Sequence, residues 1–419
     1  VLCVALVVQK HSIRVREVGV SVVGLVCLLV VMLTIFRTTA FVNSIPGVNR
    51  LVETSLSDAL SSPRFMAWEV AVESWKDHPL FGWGPNNFYY AFNEYYRPEF
   101  LRYGFGETWF DNAHNIIVNT LATQGVVGVV VYIVLFGVFG YTLIGAYRRA
   151  PSTKEMIGIA ILISFLVGHF VHNVFVFENP TSYLYFFFLL AYLVFLQSDN
   201  RSSIHVGNTT TLSAPIVCVV ALVSVFVVFV TNINPARANM ATLDAMRLLA
   251  RGVDPSVASQ SLYAYPTPHI DDVRTDFARA VVSHVQQAYT QPKQSEQAVQ
   301  SLDMVIAEVE KNLSLHPKDV RTHLLLSDMY RMKAGILRDV TYVSRAISFS
   351  NQALVLSPQR QQILFSLASL YQMIGDISQA EVLLKQARDL DPNIEYGWTQ
   401  LISFYASTGN VEAIRQILP

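Results

Sequence analysis

Residues 116 to 147 contain no charged side chain. A helix of about 20 apolar residues already spans the hydrocarbon layer of a bilayer, so this run is read as a membrane helix with length to spare. Four other apolar stretches, at about 18 to 36, 156 to 177, 181 to 196 and 215 to 231, are also candidates for crossing. The stretches 181 to 196 and 215 to 231 are short and need snorkelling flanks or a thinned bilayer. The chain opens at Val1 inside the apolar run VLCVALVV, with no basic n-region and no cleavage site. This opening is read as the last turns of an earlier span, and the bundle as N-terminally truncated.

Composition agrees with a polytopic protein, since 52% of the residues are hydrophobic and 15% charged, too apolar for an ordinary soluble chain of this size. A net charge of -1 with dispersed basic residues gives no footprint for nucleic acid. Cys3, Cys27 and Cys218 all lie in apolar runs, so neither a disulfide framework nor a CxxC metal site is expected. Lys10, Arg14, Arg16, Arg148, Arg149, Lys154 and Arg201 crowd the short connections 9 to 17, 148 to 155 and 197 to 214. The positive-inside rule places these connections in the cytoplasm. The loop 37 to 114 and the chain beyond 231 are then extracytoplasmic.

Beyond residue 231 the chain becomes richer in charge and begins to repeat. In LFSLASLYQMIGDISQAEVLLKQARDLDP, residues Leu364, Leu367, Ala368, Tyr371, Gly375, Ala380, Leu384, Ala387 and Pro392 match a 34-residue tetratricopeptide repeat. Trp398, Leu401, Tyr405 and Gly409 carry the pattern one period on. An earlier unit holds Leu326, Tyr330, Ala353 and Pro358, and its Tyr330 precedes Tyr371 by 41 residues, so its second helix or its turn is expected to be about seven longer. The fold expected is therefore all-α: a membrane helix bundle over 1 to 231, then an extracytoplasmic α-solenoid of tetratricopeptide repeats over 232 to 419. Such repeats bind protein partners and seldom catalyse.

The outer loop carries the candidate chemistry. SSPRFMAWEVAVESWKDHP predicts a helix capped by Ser62, with Pro63 at its first position and Phe65, Trp68, Val72 and Trp75 on one face. Arg64 then stands in the first turn, where its charge adds to the positive helix end and suits a phosphate or diphosphate. The aromatic segment that follows is read either as an interfacial belt or as flat faces for sugar rings. Gly82 and Gly84 are read as turn residues. In DNAHNIIVNTLATQGVVG, His114 sits at the mouth of the long helix, where Asp111 or Asn112 is expected to cap. The helix dipole would hold that imidazole neutral at pH 7, fit to act as a base. Asn115, Asn119 and Thr123 form a polar stripe expected to face a wet cavity. His172 and Glu178 end the next helix on the same side, with His169 a turn deeper. The His169 and His172 spacing brings no carboxylate at metalloprotease spacing, so no metal site is expected.

The pattern His-Asn, nine residues, Gly, two residues, Gly from His114 to Gly128, with RFMAWEVAVESWKDHPLFGWGPNNF, resembles the O-antigen ligase and polymerase superfamily. That resemblance covers about residues 60 to 195. It implies a bundle of about a dozen helices with a large periplasmic loop, and transfer of a glycan from a polyprenyl (undecaprenyl) diphosphate carrier to a lipid, glycan or protein acceptor. Polymerase and protein O-oligosaccharyltransferase members differ from the ligases by acceptor. The resemblance also implies a metal-independent, inverting displacement that needs no cofactor. Arg64 matches the arginine that holds the diphosphate and His114 the histidine that activates the acceptor hydroxyl. Asn115, Trp68, Arg97, Arg102 and His172 are the further substrate-binding candidates. A non-catalytic membrane scaffold presenting a partner-binding repeat domain is the contrasting reading, and the polar stripe at membrane depth argues against it.

Overall fold

A computed structural model describes residues 13–36, 39, 62–199, 214–288 and 295–417. The opening run 1 to 12 and the loop stretch 40 to 61 lie outside the described residues, so the reading of Val1 as the end of an earlier span is not addressed. Among the described residues the chain is helical throughout, with no strand. It divides into two compact units: Val1–Tyr95 with Tyr103–His205, and Tyr96–Arg102 with Val206–Pro419.

The first unit holds α1 (Ile13–Ile35), α2 (Pro63–Trp75), α3 (Phe88–Glu94), α4 (Ile116–Arg149), α5 (Thr153–Phe175) and α6 (Pro180–Asp199). Helices α4 and α5 are long and apolar enough to cross a membrane, whereas α1 and α6 contain shorter apolar stretches. Phe139 and Leu143 of α4, Leu166 of α5, and Phe186, Leu189 and Leu193 of α6 form their common core. Most other apolar side chains of these helices are exposed, as lipid-facing side chains are.

Helix α2 starts where its sequence predicts, with Ser62 at the N-cap position and Pro63 at the first, although the Ser62 side chain makes no capping hydrogen bond. The face it buries is not the aromatic one. Ala67, Val70, Ala71 and Ser74 are buried while Val72 is 40% exposed. Small side chains let α2 lie close against α4, and the bulkier stripe of Phe65, Trp68 and Trp75 is left half-buried beside that contact.

One device fixes the outer loop to the membrane helix. Gly125 breaks α4, with φ 67° and ψ −166°, a conformation closed to side-chain-bearing residues. Into the break fits the loop segment Pro79–Gly84, joined by backbone bonds alone. Trp83 N donates to Ala122 O at 2.9 Å, Gly84 N to Thr123 O at 2.8 Å, Val126 N to Pro79 O at 3.0 Å and Val127 N to Leu80 O at 3.3 Å. The two backbones are so close that a Cβ on Gly125 would lie 2.3 Å from the Leu80 carbonyl, and one on Gly82 2.4 Å from the Thr123 carbonyl carbon. Gly128 is required because the Gln124 side chain folds over it, its Cβ 2.4 Å from where a methyl would stand.

The second unit begins with α7 (Ala214–Val228), which passes through one π-helical turn, Phe229–Ile233, directly into α8 (Asn234–Ala250). Pro235 explains the turn: it has no N–H to give the carbonyl one turn earlier, and the widened turn absorbs the mismatch. The α7–α8 helix, 36 residues from Pro215 to Ala250, is the third able to cross a membrane. The expected boundary near residue 232 falls inside this continuous helix.

The tail then runs α9 (Pro255–Ala258), α10 (Ile270–Ala288), α11 (Ser295–Leu315), α12 (Val320–Leu337), α13 (Thr341–Leu356), α14 (Gln361–Met373), α15 (Ile377–Leu390), α16 (Glu395–Thr408) and α17 (Val411–Ile417). Successive helices pair with their neighbours, α12 with α13 and α14 with α15 most extensively. Gly375 and Gly409, one period apart, both hold the left-handed conformation that ends a first helix. Only two of the seven extra residues of the earlier unit sit in the second helix, where the sequence reading put them. Helix α12 has 18 residues against 13 in α14, so most of the excess lengthens the first helix, and α13 takes the rest with 16 against 14.

Replacing Gly125 or Gly82 with alanine is expected to cost about 3 kcal/mol, from overlap with backbone plus a forced left-handed conformation. Gly137→Ala, where an added methyl meets nothing within 4 Å, should be neutral. Thermal unfolding in detergent would separate the three, and equal midpoints for Gly125→Ala and Gly137→Ala would rule the clasp out as a constraint.

Candidate active site

The turn before α4 is built by asparagines. Asn115, not Asp111 or Asn112, is the N-cap, its Oδ1 accepting from Ile117 N at 2.9 Å and Val118 N at 3.2 Å. Asn112 Oδ1 accepts from His114 N at 2.9 Å and Asn119 Oδ1 from Ala113 N at 3.2 Å. Together they hold His114 at φ 53°, a left-handed conformation that a histidine adopts only under constraint. The side-chain oxygens of Asn112, Asn115 and Asn119 are thus engaged in the turn. Thr123 Oγ1 closes it by donating to Asn119 O at 2.8 Å.

His114 itself points away from these bonds. Its ring lies edge-on to Phe110 at 5.6 Å and tilted to Phe177 at 5.3 Å, half-buried between them. Burial lowers its pKa below the ordinary 6.5, and the positive charge of Arg64 lowers it further, against opposing pulls from Asp111 and Glu107. The imidazole is thus neutral at pH 7, as the sequence predicts, but desolvation and a guanidinium account for it rather than the helix dipole. Arg64, fifty positions earlier in the sequence, acts on His114 electrostatically in the folded chain. It is exposed in the first turn of α2. One turn on, Trp68 packs on Phe65 with ring centroids 4.4 Å apart, and its enclosed indole N–H has no acceptor among the described residues.

The other candidates go elsewhere. His172 is exposed on α5, and the polar groups that face inward from that helix are His169 and Asn173. His169 Nε2 lies 3.0 Å from Glu178 Oε1, Asn173 donates to the same oxygen, and Ser182 Oγ donates to Oε2 at 2.5 Å. Of the two histidines it is the deeper one, His169, that meets Glu178. Its signal in the sequence was the i, i+4 pair His169 and Asn173 followed by the capping box of Asn179 and Ser182, which ties Glu178 to the start of α6. Because Phe177 touches His114, this buried cluster also fixes one wall of the imidazole site. An open groove of about 630 Å³ runs along Phe165, His169, Pro180 and Tyr185 and includes neither His114 nor Arg64. Arg97 and Arg102 belong to the segment Tyr96–Arg102, grouped with the tail helices, and Arg102 is committed to Asp391. No cluster of three His, Cys, Asp or Glu side chains converges among the described residues.

Residues 1–133 match the family described as O-antigen ligase, a match that contains Arg64, His114 and the whole clasp. This first third of the chain is thus similar to the O-antigen ligase family. The match supports a glycan-ligase type of function on a lipid-linked glycan in a multi-pass membrane protein. No match is found among curated proteins. Among solved structures the chain is similar to a thermophilic TPR protein of Thermus thermophilus, at 16% identity and a TM-score of 0.25, over 41% of this chain and 84% of that one. Within the matched region, then, Arg64 acts on His114, and Asn115 holds the turn.

Titration of His114 by NMR of labelled histidine in nanodiscs should give a pKa below 6.5. Arg64→Gln should raise it and Asp111→Asn should lower it further, since each removes one named charge. An unmoved His114 pKa in Arg64→Gln would break the electrostatic link between the two.

Proposed function

We propose that the protein is a glycan ligase of the bacterial cytoplasmic membrane, moving a glycan from a polyprenyl diphosphate carrier to an acceptor hydroxyl on the outer face. What supports this most is that an exposed arginine at a helix N-terminus acts on a neutral, aromatic-walled imidazole within an O-antigen ligase match. Neutral His114 takes the proton of the acceptor hydroxyl, whose oxygen attacks the anomeric carbon. The bond from that carbon to the diphosphate oxygen breaks and the diphosphate leaves with the electron pair. Arg64, at the positive end of the α2 dipole, balances its charge. Attack opposite the leaving group inverts the anomeric centre, and no metal is required. Trp68, half-buried one turn after Arg64, offers the sugar an apolar face.

The same geometry orders the events. In the free enzyme Arg64 disfavours imidazolium. A diphosphate at Arg64 cancels that repulsion, so His114 gains basicity when the carrier is in place. The repeat tail, on this reading, lies outside the membrane on the side of the loop and offers its helix faces to a protein partner or acceptor.

In cells making the protein with its carrier, His114→Ala and Arg64→Ala should each lower transfer by at least about a thousandfold without loss of membrane insertion. Arg64→Lys should rescue poorly because lysine lacks the bidentate fork. Near-normal turnover in His114→Ala at neutral pH would end the general-base assignment. A cysteine at exposed Asp389 should label with an impermeant reagent on intact spheroplasts, and labelling only after lysis would reverse the orientation. Inorganic pyrophosphate should raise the His114 pKa in the wild type and leave it unmoved in Arg64→Gln.

A further inference from the structure

The segment Tyr96–Arg102, YRPEFLR, is counted with the repeat helices although the sequence on both sides of it belongs to the first unit. Its side chains are seated at two inter-repeat turns. At the turn Ser357–Arg360, between α13 and α14, the Arg360 guanidinium lies 4.1 Å from the centroid of the Tyr96 ring. Both residues are buried, Arg360 completely and Tyr96 to 1% exposure. At the turn Asp391–Ile394, between α15 and α16, the Arg102 fork donates to Asp391 from Nε at 2.5 Å and from Nη2 at 2.8 Å. The Asp391 carboxylate is buried at 3% exposure and its pKa is held below the usual carboxylate value, first by the Arg102 hydrogen bonds. Between these anchors Pro98, Phe100 and Leu101 are buried too.

The two turns are equivalent: Ser357 stands one 34-residue period before Asp391, and Arg360 one period before Ile394. Repeat packing alone needs neither an arginine nor an aspartate there, because the equivalent positions hold isoleucine and serine. A buried guanidinium is costly to desolvate, and burial works against the Arg360 charge while Tyr96 favours it. Arg360 thus suits an aromatic face and Asp391 a cationic fork. Those are the two chemistries that YRPEFLR presents, six residues apart.

We propose that the tail clamps the outer loop through this segment, with Arg360 and Asp391 as positioning residues for the transfer reaction. The clamp uses inter-repeat turns, which leaves the helix faces of the tail for another partner. Its route to the chemistry runs along the sequence. Tyr96 follows α3, whose Phe92 packs on Phe110 at 5.2 Å, and Phe110 is the edge-on neighbour of His114. Next to the segment, the Tyr95 hydroxyl donates to Asp77 just past the end of α2, the helix that carries Arg64. A loosened segment therefore loosens both partners of the proposed site, and the functional half of the inference rests on the ligase reading.

The test is a charge swap in the intact protein in nanodiscs, with Arg102→Asp, Asp391→Arg and the double variant. Hydrogen exchange of the amides from Tyr96 to Tyr103 reads the clamp directly, and transfer kinetics read its consequence. Each single variant should exchange about tenfold faster in that segment, as loss of a charged hydrogen bond implies, with the midpoint of global unfolding within a few degrees of the wild type. Each should also lower kcat more than it raises KM for the carrier. The double variant should restore both readouts. Unchanged exchange in the single variants, or no restoration in the double, overturns the clamp. Faster exchange with unchanged kcat overturns the positioning role. Should the wild type transfer nothing, the ligase reading and the positioning role fall together, and the exchange results still decide the clamp. Asp391→Asn, which keeps shape and one acceptor, covers the case in which Asp391→Arg fails to fold, and slower kcat with faster exchange is again the expected outcome.

Discussion

The first unit depends on one approach of backbone to backbone, the seating of Pro79–Gly84 in the break that Gly125 makes in α4. Four main-chain hydrogen bonds cross it, and no side chain takes part in them. A broken helix in an apolar setting leaves carbonyls and N–H groups that lipid cannot satisfy, so the break is tolerable only where another segment supplies the partners. The loop segment does so, and in return it is fixed against a membrane helix. Helix α2, which ends at Trp75 just before the clasp, inherits its position from this contact and from its own small-residue face on α4. The placement of Arg64 follows from both.

His114 is positioned by different means. A left-handed histidine costs on the order of 1 to 3 kcal/mol. The side chains of Asn112, Asn115 and Asn119 offset that cost, each satisfying a main-chain N–H that would otherwise be orphaned at the start of α4. The backbone is tightly determined while the ring has no hydrogen-bonded partner among the described residues, held only by Phe110 and Phe177. That division suits a group whose proton must come and go. The wall behind it is equally determined, because Glu178 beside Phe177 is gripped from α5 by His169 and Asn173 and from α6 by Ser182.

Much of this was legible in the sequence, and the parts that were not share a cause. The apolar runs of α4 and α5 and the start of α2 at Pro63 rest on periodicity or on spacing, which survive folding unchanged. The N-cap role of Asn115 was missed because a polar side chain at a helix mouth looks the same whether it faces water or its own backbone. The buried face of α2 was misjudged because hydrophobicity favours Phe65 and Trp75, whereas close helix contact favours Ala67 and Ala71. Gly82 and Gly125 were visible only as separate turn and motif residues, since their mutual contact joins segments 43 positions apart. Nothing in the local sequence of Arg102 or His172 tells whether a cation serves a substrate or a distant carboxylate. For Arg102 that partner, Asp391, lies 289 positions away.

On the proposed reading, the arrangement of charge explains why a base is kept in a place hostile to its own conjugate acid. An imidazole beside an arginine and between two aromatic rings resists protonation, so in the absence of carrier it neither holds a proton nor draws one readily from water. A diphosphate brings negative charge to the arginine, and the same local field then favours imidazolium. Proton abstraction becomes easier only when there is a leaving group to depart, which limits idle turnover without any moving part. Such switching needs the distance between Arg64 and His114 to be fixed more tightly than side-chain packing alone would manage. Two helices of a membrane bundle can slide by a fraction of a turn, but a segment hydrogen-bonded through its main chain into a break in the second helix cannot. The rigid clasp and the reversible charge are thus parts of one requirement: the chemistry tolerates a change of protonation only because the geometry around it does not change.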